Sequence, residues 1–126
     1  MEEAIELLER ALEIQIRIGG ASSPTVQKLS DHLCDMLNGC ALKHLQNGVP
    51  SSPLRDEYSR HSCFLETNLI VKAAEELDEA FQLLQKAEVL SASNSVAAAV
   101  TFNNLACYYR RCLYLSDTSM RHNACT

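Results

Sequence analysis

Two cysteine–histidine pairs in this sequence have the residue types and spacing that could hold a metal ion. Cys40 and His44 are four residues apart, so on a helix both side chains project from one face. His61 and Cys63 follow after a loop, and two cysteines with two histidines are a recognised ligand set for zinc. However, the sequence has no Cys-x-x-Cys motif, and His-x-Cys spacing splays two side chains on a helix. We therefore predict no metal site, with zinc as the alternative.

The six cysteines could also supply a nucleophile, since histidines that could act as the base are present. No local catalytic signature surrounds them, and they fall in segments with helical periodicity. Acidic pairs such as Glu75-Glu76 are typical of a solvated helix face, and no glycine-rich phosphate loop occurs. We predict a protein that is not an enzyme and needs no cofactor. Its cysteines are read as reduced structural thiols in the cytoplasm, because the sequence shows no secretory signal.

Composition favours an all-α protein. Only 4 glycines and 3 prolines occur in 126 residues, and aromatic residues make up 6% with no tryptophan. A core of leucine, alanine, valine and isoleucine suits helices.

The net charge of −5 disfavours nucleic-acid binding, which usually needs a basic patch. The sequence contains no run of 18 apolar residues, so no membrane-spanning helix is predicted.

Start and stop signals divide the chain into helices. Gly19-Gly20 ends a first helix, and Ser23-Pro24 begins a second. The loop-like segment 47–53 follows, and residues 54–90 contain neither glycine nor proline. The predicted helices span about 2–18, 24–46, 53–70, 72–91 and 95–113, with one long bent helix as the alternative to the third and fourth. Residues 116–126 are predicted to be a disordered tail.

The first helix carries an apolar stripe that is predicted to pack on the second helix, leaving one apolar edge for a neighbour. The predicted stripe is Ala4, Leu7, Leu8, Ala11, Leu12, Ile14 and Ile18. Residues 79–90 look like a copy of residues 3–14. Identical residues in the ungapped alignment are Glu3/Glu79, Ala4/Ala80, Leu7/Leu83, Leu8/Leu84 and Ala11/Ala87. Internal repetition indicates an architecture of stacked units.

The repeated pattern resembles the tetratricopeptide repeat. The second helix of that repeat has alanine, a large apolar residue and alanine at the spacing of Ala4-Leu8-Ala11 and Ala80-Leu84-Ala87. Its first helix resembles the segment with Phe102, Leu105-Ala106 and Tyr109. Residues 3–37 are most similar to the kinesin light chain type, with ERALEI at 9–14, then Gly20 and Pro24-x-Val26. Ser30 and Cys34 depart from the family pattern, at its bulky and small positions.

This resemblance implies antiparallel helical hairpins in a short, irregular, right-handed superhelical array. The domain would span residues 1–115, with an irregular insertion at about 47–72. In such folds the first helices of the hairpins line a concave groove, so the resemblance implies a peptide site on the second and last helices. Its predicted residues are Asn103, Asn104, Arg110, Arg111 and Lys28. The two asparagines would hold peptide backbone and the arginines an acidic group. The alternative is that both asparagines are solvated or bond to a neighbouring hairpin.

The function expected from the sequence is a non-catalytic protein-interaction module, a scaffold or adaptor that binds a peptide or helix of a partner. The alternative is a structural segment of a longer repeat array that self-associates through its apolar edge, including as a homodimer, and has no separate ligand. A groove role predicts that Asn104→Ala weakens a ligand without lowering the melting temperature. Calorimetric titration of an identified ligand, together with a thermal melt, checks this expectation.

Overall fold

Four α-helices make up the part of the chain that the computed structural model describes, residues 1–47 and 62–124. The helices are α1 (Glu2–Gly19), α2 (Pro24–Asn47), α3 (Ser62–Leu90) and α4 (Ser95–Ala124), and a short 3₁₀ turn at Ser91–Ser93 precedes α4. No strand occurs in these two ranges. The prediction of an all-α protein is therefore confirmed.

Local sequence signals set the helix boundaries. Gly20 ends α1 with a φ of 79°, a left-handed conformation that glycine adopts without strain. Pro24 is the first residue of α2, as predicted. Asn94 caps α4, because its side-chain oxygen accepts hydrogen bonds from the backbone N–H groups of Val96 and Ala97. These caps explain why the connections fall where the sequence places them.

Two predicted boundaries differ from the structure. Residues 62–90 form the single helix α3, which agrees with the alternative of one long helix and not with two helices meeting near residue 71. The rest of the predicted third helix, up to residue 61, lies outside the described ranges. The last helix continues to Ala124 instead of ending near residue 113, so residues 116–124 are helical rather than part of a disordered tail. Leu115 packs against the core, and no glycine or proline follows Ser95 to stop the helix.

The second helix is the centre of the packing, since it contacts α1, α3 and α4. Cys34 contacts Ala87 and His44 contacts Glu76, so α2 and α3 run antiparallel. Asp31 accepts a hydrogen bond from Asn94, and Asn38 donates one to Thr101 further along, so α2 and α4 run parallel. The consecutive helices α2, α3 and α4 therefore alternate in direction.

The first helix packs on the core through only one of its two apolar faces. Ile5 and Leu12 are buried and Leu8 is half-buried against the same cluster. Packing of the first helix on the second is thus confirmed. The predicted stripe is partly wrong, because Leu7, Ile14 and Ile18 are exposed and Ile5 was not included. Both faces have helical spacing, and α2 covers only the one that includes Ile5.

A directed chain of hydrogen bonds crosses the buried contact between α2 and α4. The Asn104 amide donates to the Asn38 side-chain oxygen (2.9 Å), and the Asn38 amide donates to the Thr101 hydroxyl (2.9 Å). Thr101 in turn donates to the Ala97 carbonyl (2.9 Å), and the Cys34 thiol donates to the Ala87 carbonyl of α3 (3.6 Å). Among the described residues, no buried side-chain nitrogen or oxygen lacks a partner. Each polar group therefore has a hydrogen bond to replace the water it loses.

Asn104→Ala should lower the free energy of unfolding by about 1–3 kcal/mol, because it leaves the buried Asn38 oxygen without its donor. This reverses the sequence-based expectation of an unchanged melting temperature. Asn103→Ala is the matched control, since Asn103 is the exposed neighbour on the same helix. Its effect should stay within about 0.5 kcal/mol. Urea denaturation measures both, and equal values would contradict the network's role.

Candidate functional site: a groove between the first three helices

The structure assigns Asn104 to the core. Its side chain is only 3% exposed, and its amide is hydrogen-bonded to Asn38. It therefore has no free surface for a ligand, which corrects the prediction that it contacts a peptide. Asn104 of α4 instead bonds to the neighbouring helix α2, which was the alternative to groove contact. Asn103 is exposed on α4.

The predicted basic residues do not gather at one place. Lys28 is exposed near the start of α2, where the neighbouring Asp31 is hydrogen-bonded to Asn94. At 1.5 Å per residue, α4 carries the exposed Arg110 roughly 24 Å beyond Asn94. Arg111 follows and is half-buried. Lys28 therefore cannot share a small site with the two arginines.

A different concave surface, which we call the α1–α3 groove, lies between α1, α2 and α3. Its volume is about 770 Å³. None of the five residues predicted from the sequence lines it. The lining residues are Met1, Glu2, Glu3, Ile5, Glu6, Glu9, Cys40, Lys43, His44, Asn47, Glu79, Gln82, Leu83 and Lys86.

The floor of the groove is apolar and is anchored in the core. Ile5 and Cys40 are buried, and Leu83 packs against the same core cluster. Each comes from a different helix, so the packing of α1 and α3 on α2 creates this floor. Because the three side chains are held by the core, the floor forms without a ligand.

The walls of the groove are mainly acidic. Five glutamates line it, against two lysines and one histidine. One lysine, Lys86, forms an ion pair with Glu9 (2.9 Å), which links α3 to α1. His44 is hydrogen-bonded through Nδ1 to Glu76, which links α2 to α3. The remaining balance of charge favours a cationic ligand.

Sequence reasoning missed this groove, although part of the signal is visible. Glu2, Glu6 and Glu9 recur every three or four residues and therefore share one helix face. Glutamates in the first turns also stabilise a helix through its dipole, so this spacing by itself does not indicate a groove. The missing information was that α3 supplies the opposite wall, with Glu79 and Lys86.

Two titratable groups in the described part of the chain have shifted pKa values, and both shifts disfavour the charged form. Burial is the main cause that raises the pKa of the Cys34 thiol, and hydrogen bonding to Thr101 opposes it only in part. A hydrogen bond with Cys112, followed by burial, raises the pKa of Tyr108 to about 12. Both groups therefore keep their protons at neutral pH.

The described side chains contain no group of three or more potential metal ligands. Cys40 is buried in the groove floor, and His44 is bonded to Glu76. The other two residues of the zinc hypothesis, His61 and Cys63, have side chains outside the described part. The zinc alternative therefore stays a hypothesis.

The chain matches no model of a known protein family, and it also matches no curated protein and no solved structure. The tetratricopeptide resemblance therefore stays a prediction. Within the described ranges, none of the helices is both long enough and apolar enough to cross a membrane.

In the folded protein, Cys34 should react with iodoacetamide much more slowly than Cys107, which is half-buried on α4. The thiolate is the reactive form, and both burial and the raised pKa of Cys34 suppress it. Timed labelling followed by peptide mass spectrometry measures both rates. After unfolding the two rates should converge, and equal rates in the folded protein would contradict the assignment.

Proposed function

We propose that this chain is a non-catalytic protein-interaction module that binds a short basic segment of a partner protein in the α1–α3 groove. The observation that carries the proposal is the combination of an apolar floor with acidic walls in one concavity. Apolar side chains of a bound segment would contact Ile5 and Leu83. Its lysines or arginines would face the glutamates.

Charge selects the class of partner. The expectation of an acidic ligand depended on Arg110 and Arg111, which do not line the groove. Glu6 of α1 and Glu79 of α3 line opposite walls, so a cationic segment between the helices would meet negative charge on both sides. Such complementarity mainly speeds association and excludes wrong partners, while the apolar floor adds to the affinity.

The groove is held in shape before any ligand binds. Its floor residues belong to the core, and the Glu9–Lys86 ion pair joins the two helices that flank α2. A rigid receptor loses little conformational freedom on binding, which leaves more of the contact energy as affinity. This suits a scaffold or adaptor, whose binding surface consists of helices.

We further propose that the fold is of tetratricopeptide type, with hairpins arranged in a right-handed array. The alternating directions of consecutive helices and the parallel packing of α2 and α4 support this, as does full burial of Ala80, Leu84 and Ala87. Small residues at such positions let neighbouring helices approach closely. The cytoplasm is the compartment we propose, because Cys34 and Cys40 are free thiols in the described part.

A synthetic amphipathic peptide of leucine and lysine tests the groove, with leucine every third or fourth residue to match the floor. The double variant Glu6→Lys/Glu79→Lys should weaken its binding about tenfold, or about 1.4 kcal/mol, because it reverses one charge on each wall. Calorimetric titration at constant salt measures the affinity. The same peptide with glutamate in place of lysine should not bind.

Glu13→Lys/Glu88→Lys is the matched control. Both residues are exposed on the same two helices, and neither lines the groove. The control variant has the same net charge as the groove variant. It therefore separates the contact of the peptide with the groove glutamates from the attraction of a cationic peptide to the whole acidic chain. An equal loss of affinity in both variants would mean that the peptide binds elsewhere. Failure of the lysine peptide to bind the unaltered chain would reject the proposal.

A further inference from the structure

The first helix exposes a continuous apolar face, the α1 stripe, consisting of Ala4, Leu7, Ala11, Ile14 and Ile18. Leu7 is 66% exposed and Ile14 is 53% exposed. The intervals alternate between three and four residues, which is the spacing at which two helices pack along a common seam. None of these residues lines the α1–α3 groove. The stripe is therefore a second surface, separate from the proposed peptide site.

We propose that a second copy of this chain covers the α1 stripe, with the two α1 helices packed antiparallel in a symmetric dimer. A two-fold dimer uses the same surface on both copies, so the stripe must complement itself. The sterics and the charges below show that it does. This inference does not rest on the proposed peptide binding.

One antiparallel register places a small side chain opposite a large one in each layer that Ala4, Leu7, Ala11 and Ile14 form, while Ile18 extends past the start of the other copy's α1. Leu7 of one copy faces Ala11 of the other, and Ala4 faces Ile14. The two-fold axis repeats both contacts, so four layers form. Alternation of small and large side chains fills the space between helices at the density of a protein interior. A parallel, in-register pair would instead place Ala4 on Ala4 and Leu7 on Leu7, with a gap beside a crowded layer.

The same antiparallel register pairs opposite charges. Glu3 and Arg17 lie on the same flank of the stripe, near its two ends. In an antiparallel pair, matching flanks face each other, so Glu3 of each copy approaches Arg17 of the other. Arg10 of each copy meets its counterpart near the axis, where Glu13 lies within one turn on the same helix. Two attractive pairs therefore oppose one repulsive pair.

The fourth helix carries the competing apolar surface, an exposed stripe with Phe102 (55% exposed) and Leu113 (72% exposed). Antiparallel docking of α1 on this stripe would set Glu3 and Arg17 against the flank with Ala98, Leu105 and Cys112. On this flank Leu105 is buried in the core, and the other two residues are half-buried. None of those three is charged, so this contact lacks the electrostatic match. Such a contact would also join unlike surfaces, and repeated head-to-tail it would build rings or open chains instead of a two-fold dimer.

Molar mass measured by light scattering from micromolar to millimolar concentration tests the dimer. The unaltered chain should rise from the mass of a monomer to that of a dimer and then stay constant. Leu7→Glu should raise the dissociation constant about a hundredfold or more, because it buries a charge in the seam without a partner. A circular dichroism melt confirms that this exposed substitution leaves the fold intact.

Charge reversal tests the register. Glu3→Arg should weaken the dimer by placing two arginines together, and Glu3→Arg/Arg17→Glu should restore it. Phe102→Glu is the control, since it adds the same charge as Leu7→Glu to the competing stripe, and it should leave the dimer unchanged.

Several results would overturn the proposal. One is that the unaltered chain stays a monomer at every concentration. Another is that Phe102→Glu loses the dimer. A third is that Glu3→Arg/Arg17→Glu fails to restore the dimer that Glu3→Arg weakens. Growth beyond a dimer in the unaltered chain would also overturn it, in favour of head-to-tail contact through α4. None of these results depends on whether the lysine peptide binds the groove.

Discussion

The hydrogen bond from Asn104 to Asn38 is the constraint on which the rest of the structure depends. Leucine and alanine contacts between helices tolerate small sliding movements, but a buried amide needs its partner at one position. The bond fixes the longitudinal register of α4 on α2, and the Cys34 contact with Ala87 fixes α3 on the same helix. These few polar atoms therefore position α3 and α4 on α2, while the apolar contacts of Ile5 and Leu12 hold α1 on the same core.

That register also explains the groove. With α3 fixed on α2, Leu83 reaches the same cluster as Ile5, and Lys86 comes within 2.9 Å of Glu9. The helices α1 and α3 stand on either side of α2 and leave a trough between them. Surface charge then gives the trough its chemical character, since α1 is rich in glutamate. Core packing thus positions the charged walls, while Ile5, Cys40 and Leu83 belong both to the core and to the floor of the groove.

The two proposed interactions use different faces of one helix and share only Glu3, which lines the groove and also flanks the α1 stripe. Glu6 of α1 faces the groove, Ile5 and Leu12 face the core, and Leu7 and Ile14 face solvent. A helix that packs on the core through a single apolar face usually presents a polar face to water. The second apolar face of α1 departs from that rule, and the proposed dimer would cover it.

The sequence by itself determined the all-α class and the boundaries around Gly20, Pro24 and Asn94, because capping and turn chemistry are local. It could not determine which apolar face of α1 is buried, since both have helical spacing and only the position of α2 distinguishes them. The candidate site was decided entirely by the tertiary structure. Burial removed Asn104 from the surface, and α3 met the consecutive helices α1 and α2 to form a groove, which no local pattern specifies.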